Sequence, residues 1–174
     1  MRAELEVDDL AYKKKTWQQK LVDRPGYPKV LKLEEGFPCY KALHAMGVEA
    51  GEDVVIVNHG EIVELMRQVP EGKVTTIIQI CQEIARRHKV QGCCTLVGGI
   101  SITTAGNAVE EAASEGKDLD IPYWRTLKVN GILNEKFPDG ELAQKERLEA
   151  EGHVLVKRGK HFAIKDLPGV LFSW

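Results

Sequence analysis

Three kinds of grouping in this chain have residue types that could do chemistry: four cysteines, three cationic runs and one aromatic pair. A thiolate is a nucleophile and a metal ligand. Cys93 and Cys94, however, are adjacent, Cys81 lies in a helical pattern and Cys39 is far away. With no Cys-x-x-Cys pair, a zinc site is not expected, and the four read as buried free thiols. The cationic runs are Lys13-Lys14-Lys15, Arg86-Arg87-His88-Lys89 and Lys157-Arg158-Gly159-Lys160. Each is able to grip phosphates. Each also has a plainer reading: a solvated patch, compensation of a helix dipole, and an exposed turn. The aromatic pair, Tyr123-Trp124, stands in "DIPYWRTLKVNG" (residues 120–131), behind Pro122 and before Arg125. Only 6% of the chain is aromatic, so adjacent rings mark either a corner of the core or a surface on which a base can stack.

The elements around these groups follow from periodicity. Residues 1–28, with "YKKK" (12–15) and "RPGYP" (24–28), read as a polar arm. Val54–Val57 suits a buried strand, and the helix after it carries Ile62, Val63, Leu65 and Met66 and ends before Pro70. Thr75 or Thr76 caps a second helix whose Ile77, Ile80, Cys81, Ile84 and Ala85 form one apolar face. "GCCTLVGGISITTAGNAVEEAASEG" (92–116) is rich in small residues, with Gly98-Gly99 interrupting it and a helix from about Ala105 to Ser114. Paired glycines cost a helix about 1 kcal/mol each relative to alanine. Their presence points to close approach by another helix or by a DNA backbone. "TLKVNGILNEKF" predicts two short strands across an Asn-Gly turn. "ELAQKERLEAEG" (141–152) predicts a helix with Leu142 and Leu148 inward and Gly152 at its end. "HVLVKRGKHFAI" (153–164) predicts a hairpin with a basic tip.

Length and composition bound the answer. A chain of 174 residues fits one domain and buries a core without staples. With 43% hydrophobic and 29% charged residues it has the composition of a globular protein. A formal net charge of −2 argues against a wholly basic nucleic-acid binder, while leaving room for a local basic face. No apolar run approaches the ~20 residues of a membrane span. The opening "MRAELEVDDL" has no signal-peptide core, so a cytoplasmic location is expected.

Taken in order, "VPEGKVTT", a helix, a small-residue helix with Gly-Gly, "IPYWR", an Asn-Gly hairpin and "LEAEG" resemble the C-terminal domain of the alkylguanine-DNA alkyltransferase family. The resemblance covers roughly residues 60–155 and is carried by those motifs in combination; residues 1–55 have no match in it. It implies an α/β, mostly α, winged-helix-like fold with small β-hairpins. Residues 1–55 would form an N-terminal extension with short strands, and residues 56–174 the winged-helix domain. The family's active motif is Pro-Cys-His-Arg, in which the cysteine takes an alkyl group from a flipped guanine and the histidine, with a glutamate, activates it. Pro122 and Arg125 keep their places and Glu151 falls on the glutamate, but Tyr123 stands at the cysteine and Trp124 at the histidine. The family's nucleotide-rotating tyrosine is Ile77 here, and the arginine of its recognition helix is Thr95. The chain thus looks like a divergent branch without the reactive cysteine, similar to alkyltransferase-like proteins, which bind alkylated DNA and flag it for repair.

The function this implies is non-catalytic DNA binding linked to DNA repair, with no catalytic residue, metal or cofactor. Double-stranded DNA is the expected partner. Its contacts would be Thr75, Thr76, Cys94, Thr95, Gly98, Gly99, Ser101, Lys157, Arg158 and Lys160. Tyr123, Trp124, Arg125 and Glu151 would form the former alkyl-transfer pocket. Tyr123 would face that pocket and Trp124 would pack inward, because neighbours in an extended segment point to opposite faces. Two alternatives stand beside this reading. One is a protein-interaction domain on the same scaffold, with a partner engaged through residues 1–55. The other is an enzyme of altered chemistry, using Cys94 or Tyr123 near Glu151.

Overall fold

Val54 and Val55, both fully buried, lie in the central strand of the first sheet. A computed structural model describes residues 13–174; Tyr12 and the "MRAELEVDDL" stretch lie outside the described residues. Strand β2 (Asp53–Ile56) pairs antiparallel with β1 (Lys29–Lys32), Val30 opposite Val55. On its other side it runs parallel to β4 (Gly92–Cys93). The sheet therefore joins residues from both sides of position 55. Its β-branched residues suit a pleated, two-sided environment. One face is covered by α2 (Tyr40–Ala45) through Leu33, Leu43, Val48 and Cys94.

The larger core lies among three helices: α3 (His59–Gln68), α4 (Ile77–His88) and α5 (Thr95–Ser114). Capping boxes start the first two. Asn58 and Glu61 begin α3, and Thr76 and Gln79 begin α4. The apolar faces expected for both are the ones buried: Ile62, Leu65 and Met66 on α3, and Ile80, Cys81 and Ile84 on α4. A short helix, α1 (Trp17–Leu21), packs on α5 and is tied to it where Glu111 accepts from the Trp17 and Gln18 backbone N–H groups.

α5 departs from expectation. It is one continuous 20-residue helix from Thr95, with Gly98-Gly99 inside it rather than before it. A Cβ on Gly98 would lie 2.9 Å from the Cys81 Sγ and 3.1 Å from the Ile77 Cδ1. The residue is small because α4 crosses there, and helix–helix packing offsets the glycine's propensity cost.

The Asn-Gly segment also departs. Asn130 and Gly131 take positive φ, 60° and 75°, as an Asn-Gly turn requires, yet the flanking residues do not pair as a hairpin. Thr126–Leu127 form β5, which runs parallel to β3 (Thr75–Thr76), while Ile132 bridges Ala163. Two tertiary partners outcompete the local strand pair. In α6 (Gly140–Ala150) Leu148 is buried as expected, but Leu142 is exposed and Gln144 takes the inward position. Gln144 hydrogen-bonds the Trp124 and Thr126 carbonyls and the Asn134 N–H. The hairpin β6 (Leu155–Arg158) and β7 (His161–Ile164) forms as expected, followed by α7 (Leu167–Val170). Glu141 holds it to the start of α6 by accepting from the Phe162 N–H and pairing with His161. Three packed helices followed by a hairpin make the winged-helix arrangement implied by the sequence. No helix among the described residues is long and apolar enough to cross a membrane.

Candidate nucleic-acid interface

The aromatic corner is closed by hydrogen bonds. Tyr123–Arg125 form a single 3-10 turn, so the alternation of an extended chain does not apply, and the two rings exchange the places expected of them. Tyr123 is buried, with 2% of its surface exposed. Its ring meets Phe137 and Trp124 edge-on at 5.0 and 5.6 Å, the arrangement ring quadrupoles favour. Its hydroxyl donates to Glu110 Oε1 at 2.8 Å, and Glu110 is paired in turn with Arg147. Burial first, and then this hydrogen bond, push the phenol above its ordinary pKa, so it is a neutral donor rather than a nucleophile. Gly106 makes room for the ring. A Cβ there would stand 3.1 Å from Tyr123, 3.2 Å from Pro138 and 3.3 Å from Phe137.

Trp124 is half-buried and donates its Nε1–H to Glu151 Oε1 at 2.7 Å. Arg125 grips the same carboxylate through Nε (3.0 Å) and Nη2 (2.9 Å) and donates from Nη1 to the Val69 carbonyl at 2.8 Å. Only 14% and 9% of the Arg125 and Glu151 side chains are exposed. Burial, the largest single influence, pushes the Glu151 carboxyl up. The hydrogen bonds from Arg125 and Trp124, together with the Arg125 charge, outweigh it and leave the group below the carboxylate range. Glu151 is a structural anion, fully engaged, with no proton to exchange with a substrate. On the outer side Trp124, Arg125, Arg147, Arg67, Glu110 and Asp120 help to line a cavity of about 510 Å³. The four residues expected to share one pocket are thus adjacent, but Tyr123 and Glu151 sit behind it and line neither large cavity.

The cysteines are buried and unbridged. The Cys39 thiol is pushed up to about 11 by burial and by its neighbour Cys94. Cys93 is pushed up by its hydrogen bond with Cys81 and by burial. Cys94 packs with Leu33 and Leu43 on the sheet side, in a different side-chain cluster from the aromatic corner.

The residues expected on DNA divide in two. Thr75, Thr76, Cys94, Gly98 and Ser101 are buried. Thr76 caps α4, Cys94 precedes α5, and the Ser101 hydroxyl contacts Val97 O and the His59 Nδ1 at 2.8 Å each. These five serve the scaffold. Thr95 and Gly99 line a second cavity of about 620 Å³, and Gly99 has open space where a Cβ would project. Lys157, Arg158 and Lys160 are exposed at the hairpin tip.

Sequence reasoning missed this second cavity. It lies between the N-terminal half of α5 and the loop from Lys128 to Lys136, with Leu96, Ile100, Ile77 and Val129 among its walls. Leu96, Ile100 and Val129 are half exposed, at 50%, 54% and 50%, an unusual cluster for a surface. The i, i+4 spacing of Leu96 and Ile100 was visible, but their exposure depended on what packed across α5. Lys128 and Lys136 stand on the rim, Lys128 sharing its charge with Glu135 at 2.9 Å. The basic hairpin tip touches the same loop, where Arg158 Nη1 donates to the Asn130 carbonyl at 3.4 Å.

No family model matches the chain, nor does any curated protein sequence. Among solved structures the chain is similar to S. pombe Atl1 in complex with damaged DNA containing O6-carboxymethylguanine. The identity is 21%, over 66% of this chain and 94% of that one, with a TM-score of 0.46. It is also similar to S. pombe ATL in complex with DNA, at 22% identity over 66% and 94% of the two chains, with a TM-score of 0.45.

Proposed function

We propose that the protein is a non-catalytic DNA-binding protein of the alkyltransferase-like kind, linked to repair. In this reading residues 56–174 form the DNA-binding module and residues 1–55 its extension. Duplex DNA lies across the N-terminal half of α5, the loop from Lys128 to Lys136 and the β6–β7 tip. The observation that carries it is the contact of Arg158 with Asn130. It brings the Lys157, Arg158 and Lys160 tip against the loop that carries Lys128 and Lys136, which also holds Glu135 paired with Lys128, on a chain whose formal net charge is −2. Phosphate contacts of this kind position a protein on DNA without chemistry. The aromatic corner supports the same conclusion: a neutral, buried Tyr123 and a fully bonded Glu151 provide neither nucleophile nor base. A cytoplasmic location belongs to this reading, since four unbridged thiols suit a reducing compartment.

A titration of duplex DNA at two salt concentrations tests it. Affinity should fall steeply with salt, and replacing Lys157, Arg158 and Lys160 together by alanine should flatten the log–log slope by up to about 3 units. An unchanged slope removes the hairpin from the interface, and an absence of binding to any duplex removes the proposal.

A further inference from the structure

The middle of the groove beside α5 suits an apolar occupant. Leu96 and Ile100 stand one turn apart on the helix and Val129 on the loop across from it, each half exposed. An exposed aliphatic cluster of this kind marks a surface that something covers. The described chain starts at Lys13, and Trp17, four positions on, is part of the same cavity wall. Residues 1–12 therefore enter close to the groove, and twelve residues reach about 40 Å when extended, enough to cross a cavity of about 620 Å³. Their sequence, "MRAELEVDDLAY", fits it. Glu4-Leu5-Glu6-Val7-Asp8 alternates carboxylates with aliphatic side chains, the period that puts Leu5 and Val7 on one face of a strand and the acids on the other. The segment holds four acids against one arginine, so the formal net charge of −2 becomes +1 for the rest of the chain. At the groove Lys128 is paired with Glu135 at 2.9 Å. Lys136 on the same loop and Lys20, 4.0 Å over the Trp17 ring, have no ion pair among the described residues.

We propose that residues 1–12 lie along this groove in the free protein, with Leu5, Val7 and Leu10 against Leu96, Ile100 and Val129, and hold DNA off α5 until they are displaced. Burial of the aliphatic side chains on both sides drives the docking. Lys20 and Lys136 attract the acids at the two ends of the groove. Once seated, the segment turns its remaining carboxylates outward, where the phosphates of a duplex would approach, and like charge opposes them. The tether supplies the segment at a high effective concentration, so modest contacts suffice. The docking stands on the groove and the segment alone; its effect on DNA rests on the DNA-binding reading.

Methyl NMR of the full chain with a nitroxide on Ala3→Cys tests the docking, since the four native cysteines are buried. The Leu96, Ile100 and Val129 methyl signals should broaden, and the L5S/V7S/L10S substitutions in the same labelled chain should restore them. The rest of that spectrum shows whether the variant is folded. Broadening that is absent, or that survives the triple substitution, overturns the docking. Broadening in a mixture of nitroxide-bearing chain and separate isotope-labelled chain also overturns it, because a second copy then fills the groove. Duplex DNA titrations test the consequence. L5S/V7S/L10S without the nitroxide should bind about ten-fold tighter than the wild type, as expected where about one molecule in ten has the groove open. Equal affinities overturn the claim that the segment holds DNA off. If neither protein binds a duplex, the DNA-binding reading falls, and with it the inhibitory role, while the methyl spectra still decide the docking.

Discussion

The two sides of this domain use aromatic and aliphatic residues in opposite ways. At the Tyr123 corner the rings are held by Glu110, Glu151, Arg125 and Arg147, and the hydroxyl and indole N–H each have a partner within 2.8 Å. At the α5 face Leu96, Ile100 and Val129 are half exposed around open space. The corner spends its side chains on stability, whereas the face leaves its own unsatisfied. Polar satisfaction thus separates scaffold from interface better than residue type does, since the chemically richer residues are the ones locked away.

Substitutions should expose this contrast in a graded order. Tyr123→Ala removes a buried ring that meets Phe137, Trp124 and Gly106 and should cost about 3–5 kcal/mol in a denaturant titration. A cost below about 1 kcal/mol would mean that the corner is not a core. Glu151→Gln removes the carboxylate from a pair that is mostly buried and should cost about 3 kcal/mol near neutral pH. Its pH dependence follows from the depressed carboxyl. The wild-type contribution is complete above the unfolded pKa of about 4.3 and is lost as pH falls through the lower folded value. The stability gap between wild type and variant should therefore close as the solution is acidified below that value, and a gap independent of pH would refute the assignment. Gly106→Ala places a methyl group against Tyr123, Pro138 and Phe137 and should cost about 1–3 kcal/mol by overpacking. Ile100→Ala, on the open face, should change stability by less than about 0.5 kcal/mol; a larger loss would show that the cavity wall is part of the core.

Much of the scaffold was legible because its signals were local. The buried faces of α3 and α4, a threonine cap at Thr75 or Thr76 and the basic hairpin tip all follow from spacing within a dozen residues, and the winged-helix arrangement was implied by the motif resemblance. What failed to show depended on distant partners. Thr126–Leu127 read as half of a hairpin because Thr75–Thr76, some fifty positions earlier in the chain, cannot be seen in the local pattern. Gly98 left two readings open, another helix or a DNA backbone, and only the distant partner decides between them: the group that approaches it is Cys81 on α4. The ring orientations at residues 123 and 124 were misjudged because Pro122 leads into a 3-10 turn rather than a strand. The motif resemblance placed Glu151 beside Arg125, where the two are bonded. It could not show that Trp124 completes the carboxylate's bonds.

α5 links the two regions as a single rod, about 30 Å long at 1.5 Å per residue, and its two halves are anchored differently. The C-terminal half is pinned by Glu110, Glu111 and the crowded Gly106, whereas the N-terminal half is held on one side, where α4 crosses Gly98, and on the other presents Gly99 and Ile100 to a cavity. Amide hydrogen exchange should divide along the same line. Protons near Gly99 and Ile100 should escape through low-energy local openings, while those near Ala108 and Val109 should wait for global unfolding. A helix that opens locally at one end and holds firm at the other can adjust its exposed face without loosening the core that supports it.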